Sequence, residues 1–402
     1  MKRRDLIKTG LLGLGASAVA LSGCDKKEES VSELNIVPKQ TGLYEFSVPL
    51  PVNYKTIDEI IELNSTLKKS KVLTFYNNAQ NQDFNQWISI DRGTRNKDIK
   101  SYEQFGQYVE YAIKNGFKFT YLMNSPKPFS QKDFKTFEKE FYFLLDYIYK
   151  IGCRDIKVGN TQVAELINEK TKGAFNLHVS TAFEYNSISQ YKYLFNNYPN
   201  FTLIDIANNE NQNFKFLAAL KKAFPDMKIE VMTNELCLKN CPARISCISE
   251  PIMANYRCET TRRKIGTMQY FLKTGAIYPW NLEYYSALGI NNFKYIASTG
   301  KYGQRNNYAN LTSLKAYLNV VENGTENHSA KVFFIDIFEK LADSKYGKSN
   351  KLDNIKLSDL KKYLPDVKYF IKNGDKCSTQ CALTCNYCKK CADNITKLII
   401  ES

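Results

Sequence analysis

Apolar and polar positions follow two different rhythms between Tyr44 and Thr299. Short runs rich in β-branched and aromatic residues predict strands, and the longer stretches between them repeat apolar residues every three or four positions, which predicts amphipathic helices. The strands expected are Phe46–Leu50, Lys71–Tyr76, Lys118–Met123, Asp155–Val158, Asn176–Thr181, Phe201–Ile206, Lys228–Met232 and Phe293–Ser298. Helices are expected at Ile57–Leu67, Tyr102–Lys114, Lys132–Ile151, Ser187–Asn197 and Asn211–Ala223, among others.

Alternation of strand and helix predicts an α/β fold with a parallel sheet. Eight such repeats within about 250 residues favour a (β/α)8, TIM-barrel-like domain, which we place at residues 44–300. A doubly wound open sheet is the alternative, but no Gly-rich turn follows the first strand. Residues 301–402 change to helical pieces (Leu311–Val321, Phe333–Lys340, Leu357–Tyr363) and end in a cysteine cluster, so we expect a helical C-terminal extension.

The barrel prediction places chemistry at the carboxyl ends of the strands. Polar residues collect there, although turns also begin at strand ends and favour polar residues for that reason. They are Asn124, Ser125, Asn160, Ser180, Thr181, Asn208, Asn209, Asn234, Glu235 and Cys237. The connection from Thr233 to Asn292 is long and carries four cysteines, and insertions of that length are usually functional.

The N-terminus has the form of an export leader. A basic start is followed by an uncharged stretch, Thr9–Gly23, which is too short to span a bilayer comfortably. The stretch ends Leu21-Ser-Gly-Cys24, the form of a lipobox. We predict a signal peptide over residues 1–23, lipid on Cys24 and a polar tether over residues 24–43. The protein would then lie in the cell envelope, anchored to a membrane and facing the periplasm or the outside.

Arg3 and Arg4 within this leader resemble the twin-arginine export motif, whose leaders precede proteins exported in the folded state. An ordinary leader with two arginines is the alternative. The net charge of +15 does not predict a nucleic-acid partner, because the lysines are scattered and form no basic stripe.

Eleven cysteines are present. Cys24 is assigned to lipid, and Cys153 stands alone before a strand, which predicts a buried thiol. The remaining nine form two groups, Cys237, Cys241, Cys247 and Cys258 in the long loop, and Cys377, Cys381, Cys385, Cys388 and Cys391 near the C-terminus. Disulfides, zinc or copper, and an iron–sulfur cluster are all compatible with such spacing. A cluster inserted before export would need folded export, so the twin-arginine motif and the cysteines support each other.

The stretch Asn234-Glu-Leu-Cys-Leu-Lys-Asn-Cys-Pro-Ala-Arg244 resembles the peptidase U32 superfamily, as do Tyr121–Pro126, Gly152–Lys157, Leu177–Thr181 and Ile277–Lys294. The resemblance implies a (β/α)8-like fold. It also implies a 4Fe–4S cluster held by four cysteines, matched here by Cys237, Cys241, Cys247 and Cys258, and oxygen-independent modification of a substrate.

We therefore predict a membrane-anchored iron–sulfur protein with redox or modifying activity and a possible redox partner. Glu235 and Arg244 are the candidate catalytic residues, able to bind or orient a substrate, with a loop-stabilising salt bridge as the alternative. A U32-type peptidase is a second hypothesis, yet neither His178 nor His328 lies near a nucleophile motif. An electron carrier or metal-binding lipoprotein is the third.

Overall fold

Eight parallel strands close into a barrel in chain order, as the sequence predicted. In the computed structural model they are β1 Tyr44–Pro49, β2 Ser70–Asn77, β3 Lys118–Met123, β4 Asp155–Val158, β5 Asn176–Val179, β6 Phe201–Asp205, β7 Lys228–Met232 and β8 Asn292–Lys294. Closure is made by β8 against β1, where Phe293 lies opposite Phe46. The α/β barrel prediction is confirmed.

The structure describes residues 34–79, 85–89, 99, 101–249, 254–296, 311–338, 341, 344–381 and 385–402. Cys24 and the predicted leader lie outside these residues, as does the tether up to residue 33. The end of the predicted eighth strand, residues 297 and 298, also lies outside them. Residues 35–402 belong to one compact unit.

Helices alternate with the strands and continue beyond them. They are α1 Tyr54–Thr66, α2 Asn85–Ile88, α3 Tyr102–Lys114, α4 Gln131–Lys150, α5 Thr161–Thr171, α6 Ile188–Asn197, α7 Phe214–Ala223, α8 Arg244–Ser249, α9 Ala254–Ile265, α10 Thr267–Leu272, α11 Leu282–Ser286, α12 Leu311–Asn323, α13 Leu357–Lys361, α14 Val367–Gln380 and α15 Tyr387–Glu401. Side-chain caps explain several starts. Ser130 and Asp133 form a reciprocal capping box on α4, and Asn160 accepts from the backbone N–H of Val163 on α5.

The C-terminal extension is helical, as predicted, and packs on the barrel. In α12 the hydroxyl of the buried Tyr317 donates to Ile277 O at 2.9 Å. The segment Phe333–Lys340, predicted as a helix, contains a turn of π-helix at Val332–Ile337, and residues 339 and 340 lie outside the described part of the chain. Among the described residues, no helix combines the length and the apolar character that a membrane crossing requires.

Candidate functional site

The long loop after β7 begins by attaching itself to β8. Thr233 is fully buried, and its backbone N–H donates to Lys294 O at 2.9 Å. The Asn234 amide donates to Ile296 O at 3.0 Å and accepts from the Ile296 N–H at 2.7 Å. These bonds continue the pairing of β7 with β8 beyond the ends of the two strands, at the mouth of the barrel. They fix the direction in which the cysteine-bearing segment leaves it.

Amides at the end of β6 hold the next part of the loop. The Asn208 side chain donates to Cys237 O at 3.2 Å, and Asn209 Oδ1 accepts from the Asn240 N–H at 2.8 Å. The polar residues that the sequence placed at this strand end thus bind backbone of the cysteine loop. Their geometry gives them a supporting role for that segment.

Glu235 and Arg244 are brought together, as the sequence motif suggested. Glu235 Oε1 accepts from the N–H groups of Leu236 and Cys237, each at 2.8 Å. Its Oε2 lies 3.7 Å from Arg244 Nη2, while Arg244 Nε donates to Glu184 Oε1 at 2.5 Å. Burial disfavours the guanidinium charge, but Cys237, Glu235 and Glu184 outweigh it and raise the pKa of Arg244.

Part of the Arg244 guanidinium remains unsatisfied. The residue is 5% exposed, and its Nη1 is buried without a hydrogen-bond partner among the described residues. A buried donor left unpaired costs about 1–3 kcal/mol, so an acceptor at this position would be stabilising. The ion pair expected as the structural alternative is present, and it leaves a spare donor beside Cys237.

The first thiol group comprises Cys237, Cys241 and Cys258, which lie around Tyr270. Burial raises the pKa of the Tyr270 hydroxyl, and the three thiols raise it further. Burial also raises the pKa of the Cys241 thiol, with added contributions from Cys258 and Cys237. Cys247 follows on α8, where its N–H donates to Ala243 O at 2.8 Å.

The second thiol group comprises Cys377 on α14, Cys388 on α15, and Cys381 and Cys385, which lie between these helices in the sequence. Burial raises the pKa of Cys377 to about 11 and that of Cys388 to about 12, and Lys239 opposes both shifts. Cys391, one helical turn further on, also acts on Cys388. The nine candidate ligands thus divide between a barrel loop and the extension.

No disulfide joins any of the ten described cysteines. Cys153 is fully buried, as predicted. In the part of the chain that the structure describes, no three Cys, His, Asp or Glu side chains are arranged to hold one metal ion as they stand. The thiols of each group nevertheless lie close enough to influence one another electrostatically.

A charged cluster inside the barrel was not predicted. Lys157 Nζ, on β4, lies 2.7 Å from both Asp205 Oδ2 on β6 and Glu230 Oε2 on β7. Lys294 is the last residue of β8, and its Nζ lies 2.8 Å from the same Asp205 oxygen. Ser47 on β1 donates to Glu230 Oε1 at 2.5 Å. The sequence does contain a signal for this cluster, because charged residues interrupt otherwise apolar strands. It does not indicate which of these charged residues contact one another.

The charges of this cluster perturb one another. Burial raises the pKa of Glu230 to about 7, since the attraction of Lys157 only partly offsets the desolvation. Asp205 is also desolvated, but Lys157 and Lys294 hold its pKa below its usual value. Burial lowers the pKa of Lys294. Asp205 Oδ1 is buried without a hydrogen-bond partner among the described residues.

The two histidines, His178 and His328, make their described contacts outside the cysteine loop. His178 Nε2, on β5, lies 3.5 Å from Asp155 Oδ1, and burial lowers the pKa of the imidazole. His328 lies in the extension, where its backbone carbonyl accepts from Leu357 N–H at 2.7 Å. Neither contact links a histidine to a described cysteine thiol.

No protein-family profile matches the chain, and no curated protein matches it. Solved structures align with it at low identity. The U32 peptidase Mk0906 covers 66% of this chain and 95% of its own, with a TM-score of 0.42 and 11% identity. A D-psicose 3-epimerase from Clostridium cellulolyticum H10 covers 76% and 99%, with a TM-score of 0.34 and 12% identity. SrfJ from Salmonella typhimurium covers 67% and 69%, with a TM-score of 0.34 and 9% identity.

Proposed function

We propose that this chain is an exported, lipid-anchored protein that binds an iron–sulfur cluster on its β7–β8 loop and uses it in redox or oxygen-independent modifying chemistry. The observation that carries the proposal is the unpaired Nη1 of Arg244, buried beside the first thiol group. Lipid on Cys24 would hold the protein at a membrane of the cell envelope.

The described thiols are not arranged around one metal position, but their chemistry suits such a group. Cys237, Cys241 and Cys258 supply sulfur, and Cys247 on the neighbouring helix is the fourth candidate ligand. All-thiolate sites suit iron–sulfur clusters, and also zinc or copper(I). A bound cluster would supply the electron-transfer chemistry of the site. Hydrogen bonds to cluster sulfur tune such centres, and the buried Nη1 of Arg244 would supply a donor that no described residue uses.

The chain's own residues would organise this site. Glu235 orients the loop by accepting from two consecutive N–H groups, one of them on Cys237. Arg244 spans Glu235 and Glu184, so it fixes α8 against the loop that follows β5. Glu235 and Arg244 are both buried within the cysteine loop, and we propose them as the residues that bind or orient a substrate inside this site.

Anaerobic purification followed by iron, sulfide and zinc analysis tests the proposal. We expect iron and acid-labile sulfide with a broad visible absorbance. The double variant Cys237→Ser/Cys241→Ser should lose metal at this site, while Cys153→Ser, which alters a buried thiol outside both groups, should retain it. A colourless wild-type protein that carries zinc would exclude the iron–sulfur centre.

The leader is tested separately. A reporter fused to residues 1–35 should stay in the cytoplasm of a strain without the twin-arginine translocase. The variant Cys24→Ser should leave the membrane fraction, because one residue carries the anchor. Export of the reporter in the mutant strain would contradict folded export and leave the anchor untouched.

An electron-carrier or metal-binding role is the second candidate. Five cysteines in the extension exceed the four that one cluster requires, and Cys391 adjoins Cys388. Metal stoichiometry separates the possibilities, since many copper ions per chain would indicate storage rather than catalysis.

A further inference from the structure

Two lysine side chains share one carboxylate oxygen inside the barrel. Lys157 Nζ lies 2.7 Å from Asp205 Oδ2, and Lys294 Nζ lies 2.8 Å from the same atom. The two ammonium groups are therefore close neighbours, and all three side chains are at least nine-tenths buried. A cation next to another cation in a desolvated interior is costly, so this arrangement favours the loss of a proton from one of the two amines.

The two lysines differ in their anionic partners. Lys157 also lies 2.7 Å from Glu230 Oε2, whereas Asp205 is the one carboxylate at ion-pair distance from Lys294 among the described residues. Although burial opposes it, Asp205 and Glu230 raise the pKa of Lys157. Burial lowers the pKa of Lys294, the attraction of Asp205 only partly offsets this, and Lys157 lowers it further. Lys294 is therefore the amine that gives up a proton more readily.

Lys294 also has the more accessible position. It is the last residue of β8, and Asp205 is the last residue of β6, so both lie at the carboxyl ends of strands, where barrels of this kind carry their chemistry. The Lys294 carbonyl accepts from the N–H and the hydroxyl of Thr233 at 2.9 and 3.0 Å, which fixes its backbone. Its side chain is 9% exposed, against at most 5% for the other three charged side chains of the cluster. A small molecule therefore reaches this amine more directly than the rest of the cluster.

Two further groups lie beside the Lys294 amine. Its Nζ is 4.7 Å from the centre of the Tyr76 ring, and the Tyr76 hydroxyl donates to Tyr295 O at 3.0 Å, which holds the ring in place. The second oxygen of Asp205, Oδ1, is buried without a hydrogen-bond partner among the described residues. A buried acceptor without a partner is costly, so a hydroxyl that donates to it would be stabilising. An amine, a spare acceptor and an aromatic wall suit a small carbonyl compound that carries a hydroxyl.

We propose that Lys294 forms a covalent imine with a small hydroxy-aldehyde or hydroxy-ketone, in a reaction that does not involve the cysteine loop. The Lys294 nitrogen attacks the carbonyl carbon, so a C–N bond forms and the C–O bond breaks. Two of the three ammonium protons leave with the carbonyl oxygen as water, and the third stays on the iminium nitrogen. Asp205 Oδ2, 2.8 Å from Nζ, is the atom through which the protons pass. No oxidant or reductant is needed.

The charge balance of the cluster favours this adduct. The ammonium and the iminium carry the same positive charge, so Asp205 keeps its counterion when the imine forms. A neutral adduct on Lys294 would instead leave Asp205 to Lys157 alone, which also serves Glu230. Lysines that are desolvated, or that lie next to another cation, are the ones that react as amines in this way.

Reductive trapping tests the proposal on the full chain. The protein is incubated with dihydroxyacetone and sodium cyanoborohydride, which converts an imine into a stable secondary amine, and is then digested with trypsin for mass spectrometry. Trypsin does not cut after an alkylated lysine, so a label on Lys294 appears on the peptide of residues 274–301. We expect Lys294 to be labelled at least about tenfold more than exposed lysines such as Lys132, and Lys157 to stay unlabelled. Labelling of Lys294 at or below the level of Lys132 would overturn the proposal.

Variants identify the reacting amine. Lys294→Arg keeps a cation beside Asp205 but cannot condense with a carbonyl, so the label on this peptide should disappear. Lys228→Arg, at an exposed lysine paired with Glu45, is the matched control and should keep the Lys294 label. A folded Lys294→Arg protein that takes up as much label as wild type would refute the assignment. The wild-type peptide map decides the proposal even if a variant fails to fold.

One further variant separates this proposal from the iron–sulfur site. Cys237→Ser/Cys241→Ser should retain the label on Lys294 whether or not the wild-type protein contains metal. Trapping that is lost in this variant while circular dichroism shows a folded protein would mean that the imine depends on the cysteine loop, contrary to the proposal.

Discussion

Lys157 Nζ donates to Glu230 Oε2 at 2.7 Å in the interior of the barrel, although 73 residues separate the two in sequence. Both residues are at most 4% exposed. Burying opposite charges is costly, and replacing a buried pair by apolar residues is often neutral or stabilising. The pair, extended by Asp205 and Lys294, therefore sets the electrostatics of the barrel core rather than adding simply to its stability.

Glu230 makes the stability of the fold depend on pH. Its pKa in the folded protein is about 7, above the ordinary 4.5, so the native state binds more protons than the unfolded state between these values. The contribution is present in full below pH 4.5 and is lost as the pH rises towards 7. We expect Glu230→Gln to remove a decline of up to about 1.4 kcal/mol per pH unit.

Chemical denaturation at half-unit pH steps measures this difference. Asp205 does not contribute to the pH dependence between pH 4.5 and 7. Its pKa is lowered from 3.8, so its stabilising effect is lost only as the pH falls below that value. Parallel wild-type and Glu230→Gln curves between pH 4.5 and 7 would contradict the assignment.

Removing the central cation should be far more disruptive than removing one acid. Lys157→Met leaves Asp205 and Glu230 facing each other inside the barrel with only Lys294 to compensate, so we expect a loss of about 3–5 kcal/mol in the free energy of unfolding. The double variant Lys157→Met/Glu230→Gln removes one acid with the cation and keeps the Asp205–Lys294 pair, so it should recover part of that loss. If the double variant is no more stable than Lys157→Met, the electrostatic explanation is wrong.

The sequence predicts the elements of the fold better than the partners within it. The strands Lys118–Met123, Asp155–Val158 and Lys228–Met232 and the helix Tyr102–Lys114 occur with the predicted bounds. Their apolar periodicity is a local property and is therefore visible in the sequence. The interior cluster is different, because Lys157 and Glu230 meet only when β4 and β7 face each other across the closed barrel.

For the cysteine loop, too, the sequence indicated local contacts but not long-range ones. The motif around Glu235 and Arg244 indicated their proximity, and the pair forms. The division of the thiols into two groups and the position of Lys239 depend on how the extension packs against the loop. One contact between them is the hydrogen bond from the Asn240 side chain to Cys377 O, which joins residues 137 positions apart. No local pattern encodes a contact at that separation.

Arg244 should not tolerate lysine. A lysine offers a single point charge and cannot contact Glu184 and Glu235 together as the planar guanidinium does. We expect Arg244→Lys to cost roughly 1–3 kcal/mol in urea denaturation. Arg154→Lys, at an exposed position where the guanidinium donates to Tyr149 O, is the matched control and should change stability by less than about 0.5 kcal/mol. Equal effects of the two changes would argue against a special role for the buried pair.

Glu322 ties the extension to the barrel. Its carboxylate accepts from the N–H groups of Lys68, Lys69 and Ser70 at 2.9–3.0 Å and from Ser70 Oγ at 2.7 Å. Although burial opposes it, these bonds lower the pKa of Glu322, so its stabilising effect is lost as the pH falls through the acid range.

Replacing this carboxylate by an amide exposes its contribution. Glu322→Gln should cost about 1–3 kcal/mol at pH 7, because an amide has one acceptor oxygen where the carboxylate has two. Glu326→Gln, on an exposed side chain four residues away, serves as the control. The difference between the two variants should shrink as the pH falls below the ordinary glutamate value of 4.5, and a constant difference across pH would show that the charge is not responsible.

Gly159 closes the turn after β4 where no side chain fits. A Cβ at this position would lie 2.3 Å from Asn124 O and 2.6 Å from Ser125 O, both of them backbone atoms that cannot move aside cheaply. Gly159→Ala should therefore shift the turn that carries Asn160 and cost at least about 1–3 kcal/mol. Gly116→Ala provides the contrast, since its left-handed φ of +87° is unfavourable for alanine but nothing lies within 4 Å of the added carbon. It should cost only about 1 kcal/mol, and thermal denaturation should rank Gly159→Ala as the more damaging change. The reverse order would mean that the strand-end turn is more pliable than its backbone contacts imply.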